Sequence, residues 1–165
     1  MYAAATSIGK IVVLKLNLKI PPVAQGVVTL ILIWLFDRYL PIYRISFIYQ
    51  RVVACSLIGI GGIIGLSGIL AFIKLRTTVD PRYPDKASQL VVIGIYKYSR
   101  NPMYLGILLL LTGVAAYLGA LSNIVVVLFF VIFINKYQIV PEEISLQQKF
   151  GESYTQYAQN VRRWL

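Results

Sequence analysis

Long uncharged runs separated by short clusters of charge dominate the chain. Ile20 to Phe36 is a run of 17 residues without a charge, closed by Asp37 and Arg38. Val52 to Ile73 is a run of 22, closed by Lys74 and Arg76, and Asn101 to Asn135 is a run of 35. A helix needs about 20 apolar residues to cross the hydrocarbon of a bilayer. Built as one helix, the longest run would measure about 52 Å at roughly 1.5 Å per residue, too long for one crossing. It is therefore expected to fold back at Gly119-Ala120-Leu121-Ser122-Asn123, where glycine and asparagine supply turn chemistry. The pattern predicts an all-α, polytopic membrane protein with about four transmembrane helices, at 22–37, 52–74, 103–120 and 123–140. No internal repeat or linker divides the chain, so residues 1–165 read as a single membrane domain. Lys10, Lys15 and Lys19 interrupt the first twenty residues and no small-residue cleavage site follows, which argues against a secretion signal.

Two segments lie outside these runs. Residues 75–102 form a polar connection carrying Pro81, Pro84 and Pro102. Residues 141–165 read as a helix: Pro141 suits a first turn, and Glu142 and Glu143 suit the positive end of the helix dipole. Phe150, Tyr154, Tyr157, Val161 and Trp164 recur at helical spacing, giving one apolar face, and Gly151 is expected to bend it. Arg162, Arg163 and Trp164 at its end fit a helix lying among headgroups.

Composition sharpens this picture. The chain is 58% apolar and 13% charged, too few charges to cover a water-facing surface. Its 16 cations against 6 acids give a net charge of +10. By segment the cations number three before the first predicted helix, three after it, six in the second connection, none in the third and four at the C-terminal end. Alternate segments thus total 13 against 3. The positive-inside rule then predicts both termini and the second connection in the cytoplasm. Lipid headgroups account for the basic charge, and no nucleic-acid partner is expected. Histidine is absent, which excludes Ser-His-Asp and Cys-His catalysis and removes the commonest metal ligand, so no metal is expected. The single cysteine, Cys55, reads as a small apolar residue inside a helix.

Three groups of residues could carry chemistry. Gly59-Ile60-Gly61-Gly62-Ile63-Ile64-Gly65 resembles a nucleotide-binding loop, but such a loop needs a strand before it and an amphipathic helix after it. Within an uncharged run, Gly61-x-x-x-Gly65 reads instead as a small-residue face for close helix packing. The stretch Gly94 to Gly106, GIYKYSRNPMYLG, packs tyrosines, Lys97, Arg100 and Asn101 at the mouth of the third helix. An interfacial belt would use the same residue types, and composition does not separate the two readings. Glu142 and Glu143, two of six acids, follow the fourth helix; ionisable groups near membrane depth are expensive and point to function. A hairpin of the third and fourth helices would bring Arg100, Asn101 and Glu142 to one face, where cations, an amide and a carboxylate could surround a small zwitterion. A transporter or assembly protein, the rival reading, would line its path with intramembrane charges, and the runs supply almost none.

GIYKYSRNPMYLG, followed some forty residues on by EEISLQQKFGESYTQYAQNVRRW, resembles the isoprenylcysteine carboxyl methyltransferase family, part of the wider group containing phospholipid methyltransferases. The resemblance covers about residues 75–165, which it marks as the cofactor-binding part. It implies S-adenosylmethionine-dependent methyl transfer at the cytosolic membrane face, to a lipophilic or small-molecule acceptor. The family's arginine-histidine-proline-x-tyrosine motif corresponds to Arg100, Asn101, Pro102, Met103 and Tyr104, and an upstream tyrosine to Tyr96. A further cofactor-lining segment corresponds to Ser88, Gln89, Leu90 and Val91, and the cofactor-binding glutamate to Glu142. Arg100 and Glu142 are the implied catalytic pair. Two departures stand out. Asn101 replaces the histidine and keeps hydrogen-bonding capacity without titrating near neutral pH. Gln138 replaces an arginine associated with the substrate, leaving Lys136 as the nearest cation. That change puts a prenylcysteine carboxylate in question, and prenylated cysteine, phospholipid amines and small thiols all stay open as acceptors.

Overall fold

The computed structural model describes residues 20–76 and 88–165. The N-terminal lysines, and Pro81, Arg82, Pro84 and Lys86 of the second connection, lie outside the described residues. Among those described, the regular structure is helical: α1 (Pro22–Tyr39), α2 (Gln50–Lys74), a 3₁₀ turn (Gly94–Lys97), α3 (Pro102–Leu118), α4 (Ser122–Ile134), α5 (Val140–Phe150) and α6 (Glu152–Asn160). Proline occupies the first turn of α1, α3 and α5, where its missing N–H costs nothing. A π-helical turn, Asn135–Ile139, joins α4 to α5 without a break. Pro141 explains it, since its ring would collide with the carbonyl one turn back in a regular α-helix and the wider turn relieves the clash.

Two helices are long and apolar enough to cross a membrane, Gln50–Lys74 with 25 residues and Ser122–Phe150 with 29; α3 is apolar but shorter. The helices pack around a core of Ile33, Tyr104, Leu111, Phe130, Ile134 and Ile139. The outside is equally apolar. Ile63, Leu66, Phe129 and Ile132 are each more than half exposed, a surface suited to lipid and not to water.

The closest packing joins α2 to α3, and glycine permits it. A Cβ on Gly61 would lie 2.7 Å from the Gly106 carbonyl oxygen, and one on Gly106 would lie 2.8 Å from the Gly65 Cα. The glycine run of α2 is thus a packing face, with Gly59 and Gly62 turned to open space. At one end of the bundle, the α3–α4 reversal uses Gly119 at φ +80°. The 40–49 connection caps this turn through Ile45 N–H to Gly119 O at 2.8 Å, Leu121 N–H to Tyr43 O at 3.0 Å and Gln50 Nε2 to Ala116 O at 2.8 Å. The start of α1, the 3₁₀ turn, the start of α3 and the α4–α5 junction gather at the other end, where Gln25 reaches Gln138.

The C-terminal segment departs from the expected headgroup helix. α6 ends at Asn160, and Val161 is extended and buried. The backbone N–H of Arg100 and the side-chain amide of Asn101 need acceptors, and the carbonyls of Arg162 and Arg163 supply them at 3.0 Å each. Trp164 packs against the core.

Candidate active site

Tyr104 stands on the first turn of α3, where the spacing of α3's apolar face turns it inward. It is 3% exposed, and its hydroxyl donates to Oε2 of Glu142 at 2.7 Å. The π turn re-aims the side chains within and after it, placing its own Gln138 and Ile139 in the interior and Glu142 opposite Tyr104. Glu142 is partly buried and has no ion-pair partner among the described residues.

Its neighbour Glu143 is heavily paired. Arg163 grips it with two bonds, Nη2 to Oε2 at 2.6 Å and Nε to Oε1 at 3.1 Å, while Arg100 Nη1 lies 3.3 Å from Oε1. Charge-assisted fork geometry of this kind is directional and strong. Arg100 Nη1 also donates to the Tyr154 hydroxyl at 3.4 Å. The buried Nε of Arg100 has no hydrogen-bond partner among the described residues.

Tyr96, in the 3₁₀ turn, is 5% exposed and meets the Phe72 ring edge-on at 5.5 Å between centroids. Burial first, and then the negative charge of Glu142, push its phenol well above the ordinary tyrosine range. The Tyr157 hydroxyl donates to the Tyr96 carbonyl at 2.8 Å, tying α6 to this turn. Burial likewise raises Tyr154 to about 12.

The sequence-predicted residues divide into those the fold gathers and those it leaves aside. Tyr96, Arg100, Tyr104 and Glu142 converge at one end of the bundle. Asn101 and Pro102 are buried beside them, though the Asn101 amide is committed to the Arg163 carbonyl. Met103 turns away and covers Gly68 of α2. Of the upstream segment, Val91 packs with Tyr96 and Ala71, Leu90 is partly buried, and Ser88 and Gln89 are exposed, with Gln89 donating to the Leu75 carbonyl. Gln138 is 1% exposed and lies next to Tyr104. Lys136 is exposed, with its ammonium 5.3 Å from the centre of the Tyr137 ring.

Sequence reasoning passed over Gln25, Glu143 as the paired acid, and the 161–164 segment. Gln25 had a signal, being the one amide side chain in the Ile20–Phe36 run. The backbone pairing of residues 162 and 163 had none.

Residues 49–153, which include this constellation apart from the C-terminal segment, match the phospholipid methyltransferase family. The chain belongs to that family. An uncharacterized protein of Haemophilus influenzae is 44% identical over 63 residues, covering 38% of this chain and 100% of that protein. A Schizosaccharomyces pombe protein-S-isoprenylcysteine O-methyltransferase is 38% identical over 80 residues, 47% of this chain. The match covers 33% of that enzyme's length. No solved structure matches the chain. Membership of the phospholipid methyltransferase family, together with the two long apolar helices, supports a membrane methyltransferase.

Proposed function

We propose that the chain is an S-adenosylmethionine-dependent methyltransferase working at the cytosolic face of the membrane on a lipophilic acceptor. The observation that carries this reading is the Tyr104–Glu142 pair, a carboxylate held by one hydroxyl at 2.7 Å and, among the described residues, without a cation. An anion in so apolar a place is costly until a positive ligand meets it. The unpartnered Nε–H of Arg100 offers the complementary donor for a carboxylate. Together they fit the zwitterionic amino-acid end of S-adenosylmethionine, and the faces of Tyr96 and Tyr104 suit a sulfonium.

Tyr96, Arg100, Asn101, Tyr104 and Glu142 would hold the cofactor, with Pro102 and the Ser88, Gln89, Leu90, Val91 segment shaping its surroundings, while Met103 packs on α2. When bound, the cofactor supplies a methyl group activated by its sulfonium. The chain's own contribution is alignment and exclusion of water. Tyr104 fixes the Glu142 carboxylate. Glu143, gripped by Arg100 and Arg163, pins the C-terminal segment across the start of α3 and closes that side. Gln138, buried next to Tyr104, faces the acceptor, while Lys136 stays outside among headgroups. The uncharged Gln138 favours acceptors other than a prenylcysteine carboxylate. Four crossings with both termini cytosolic accord with the cation count and with the sorting of connections between the two ends of the bundle.

Calorimetric titration of purified protein with S-adenosylhomocysteine tests this reading. Saturable binding that weakens in Glu142→Ala and Tyr104→Phe is the expected result. No binding by the native protein, or unaltered affinity in both variants, overturns it. Labelled methyl groups fed to membranes containing the protein would then identify the product.

A further inference from the structure

We infer that Gln25 and Gln138 together read the acceptor's head group, selecting an uncharged hydroxyl carried on an apolar body; this rests on the methyltransferase assignment. The two side chains lie 113 positions apart in sequence, and Gln25 Nε2 donates to Gln138 Oε1 at 3.2 Å. Gln25 is 8% exposed and Gln138 1%. On this pair Gln25 Oε1, an acceptor, has no hydrogen-bond partner among the described residues, and Gln138 Nε2, a donor, makes no well-formed hydrogen bond and faces the Tyr104 hydroxyl. Their orientation is not arbitrary. Gln25 Nε2 also donates to the Ile20 carbonyl at 2.9 Å, so turning that amide over would set oxygen against oxygen. Leaving a buried polar atom unpaired costs free energy comparable to a lost hydrogen bond. A ligand that satisfies both atoms at once is therefore strongly preferred.

The surroundings say how such a ligand arrives. Gln25 forms the polar end of a cavity of about 170 Å³ between α1 and α4, walled by Val28, Leu32, Phe129, Phe130 and Phe133. Apolar cavities of roughly this size, about 150 Å³, admit a benzene-sized group. Val28 and Phe129, at its rim, are 55% and 59% exposed on the apolar outer surface, so the cavity opens toward lipid. Gln138 in turn adjoins Tyr104, and so the proposed transfer site.

Head-group chemistry follows from the unpaired atoms. A hydroxyl can donate to Gln25 Oε1 and accept from Gln138 Nε2; on methylation its O–H bond breaks as the O–CH3 bond forms, and the proton passes to the Glu142 carboxylate by way of the Tyr104 hydroxyl beside Gln138. A carboxylate would set its charge against Gln25 Oε1, with no cation lining the cavity. A quaternary ammonium would leave Oε1 without a donor and face the N–H of Gln138.

The test uses the full chain in lipid nanodiscs with two photoreactive probes of equal length, a diazirine-bearing dodecanol and the matching dodecanoate. Labelling of residues 126–133 is normalised to labelling of the lipid-facing Ile63 and Leu66, which cancels differences in partitioning. The alcohol should label the cavity about five-fold more than the carboxylate, the fold-change one net hydrogen bond confers. Gln25→Met should bring the ratio to about one, and Gln138→Arg should invert it. Equal labelling by both probes in the native protein, or a ratio unmoved in both variants, overturns the proposal. S-adenosylhomocysteine titration of the same preparation separates the two levels. Alcohol preference without cofactor binding removes the methyltransferase reading and leaves a hydroxyl-lipid site, whereas cofactor binding without preference removes this proposal alone.

Discussion

The Tyr104 hydroxyl and the Glu142 carboxylate, 38 positions apart, meet at 2.7 Å where α3 begins and α5 leaves the π turn. The contact joins the start of one apolar helix to the end of the next. Glu143, one residue on, points instead to Arg100 and Arg163. Adjacent acids thus divide, one paired into the fold and one proposed as part of a ligand site.

Removing the Tyr104 hydroxyl should weaken that ligand site without dismantling the bundle. A hydrogen bond to a charged group contributes about 1.5–3 kcal/mol, so Tyr104→Phe is expected to lower S-adenosylhomocysteine affinity roughly ten-fold or more. Glu142→Gln, which keeps the shape and deletes the charge, should lower it at least as far. Calorimetry on both variants checks the pair, and equal affinity across the series would detach it from the ligand.

The α2–α3 seam should be intolerant where backbones touch and indifferent elsewhere. Gly106→Val puts side-chain atoms within 2.6 Å of the Gly61 carbonyl oxygen, and overpacking of this kind costs about 1–3 kcal/mol. Gly59→Ala and Gly62→Ala meet nothing within 4 Å, and alanine's better helix propensity should leave stability equal or higher by up to about 1 kcal/mol. Thermal unfolding of the detergent-solubilised variants decides; a Gly106→Val protein as stable as the native one would contradict the close seam.

Breaking the clamp on Glu143 should act locally. Arg163 and Glu143 side chains are 39% and 17% exposed, so solvent screening limits the global loss in Arg163→Ala to about 1 kcal/mol or less. The Arg100 amide, which donates to the Arg162 carbonyl at 3.0 Å, should nevertheless lose protection from hydrogen exchange. Unchanged exchange at Arg100 would mean that the backbone bond holds without the ion pair.

Alkali should destabilise the protein through its buried tyrosines. Tyr154 keeps its proton to about pH 12 in the folded state, whereas an unfolded tyrosine releases it near about pH 10. Between these values the unfolded chain binds fewer protons, so stability falls as pH rises. The contribution is fully present below about pH 10 and is lost as pH climbs through the folded value. Melting temperatures measured from pH 9 to 12 should decline, and Tyr154→Phe should flatten the decline. An identical slope in that variant would remove Tyr154 as a contributor.

Helix placement was legible from the chain itself because hydrocarbon tolerates few charges. The uncharged runs marked α1 to α4 to within two residues at each start, and Gly119 marked the reversal between α3 and α4. The convergence of Arg100, Tyr104 and Glu142 was legible too, since a hairpin of two helices returns the chain to the end it left.

What no local pattern held was the direction of each polar side chain. Pro141 widens one turn of a continuous helix, and that single change sends Glu142 to Tyr104, Glu143 to the two arginines and Gln138 into the interior. Gln25 meets Gln138 only because α1 packs along α4, and the carbonyls of Arg162 and Arg163 reach Arg100 and Asn101 only because α6 stops at Asn160. The sequence by itself thus determined which stretches are helical and apolar, through the cost of burying charge. The tertiary structure alone decided which polar atoms are satisfied and which are left unpaired, because hydrogen bonds between distant residues depend on helix packing and turn geometry that neither periodicity nor composition encodes.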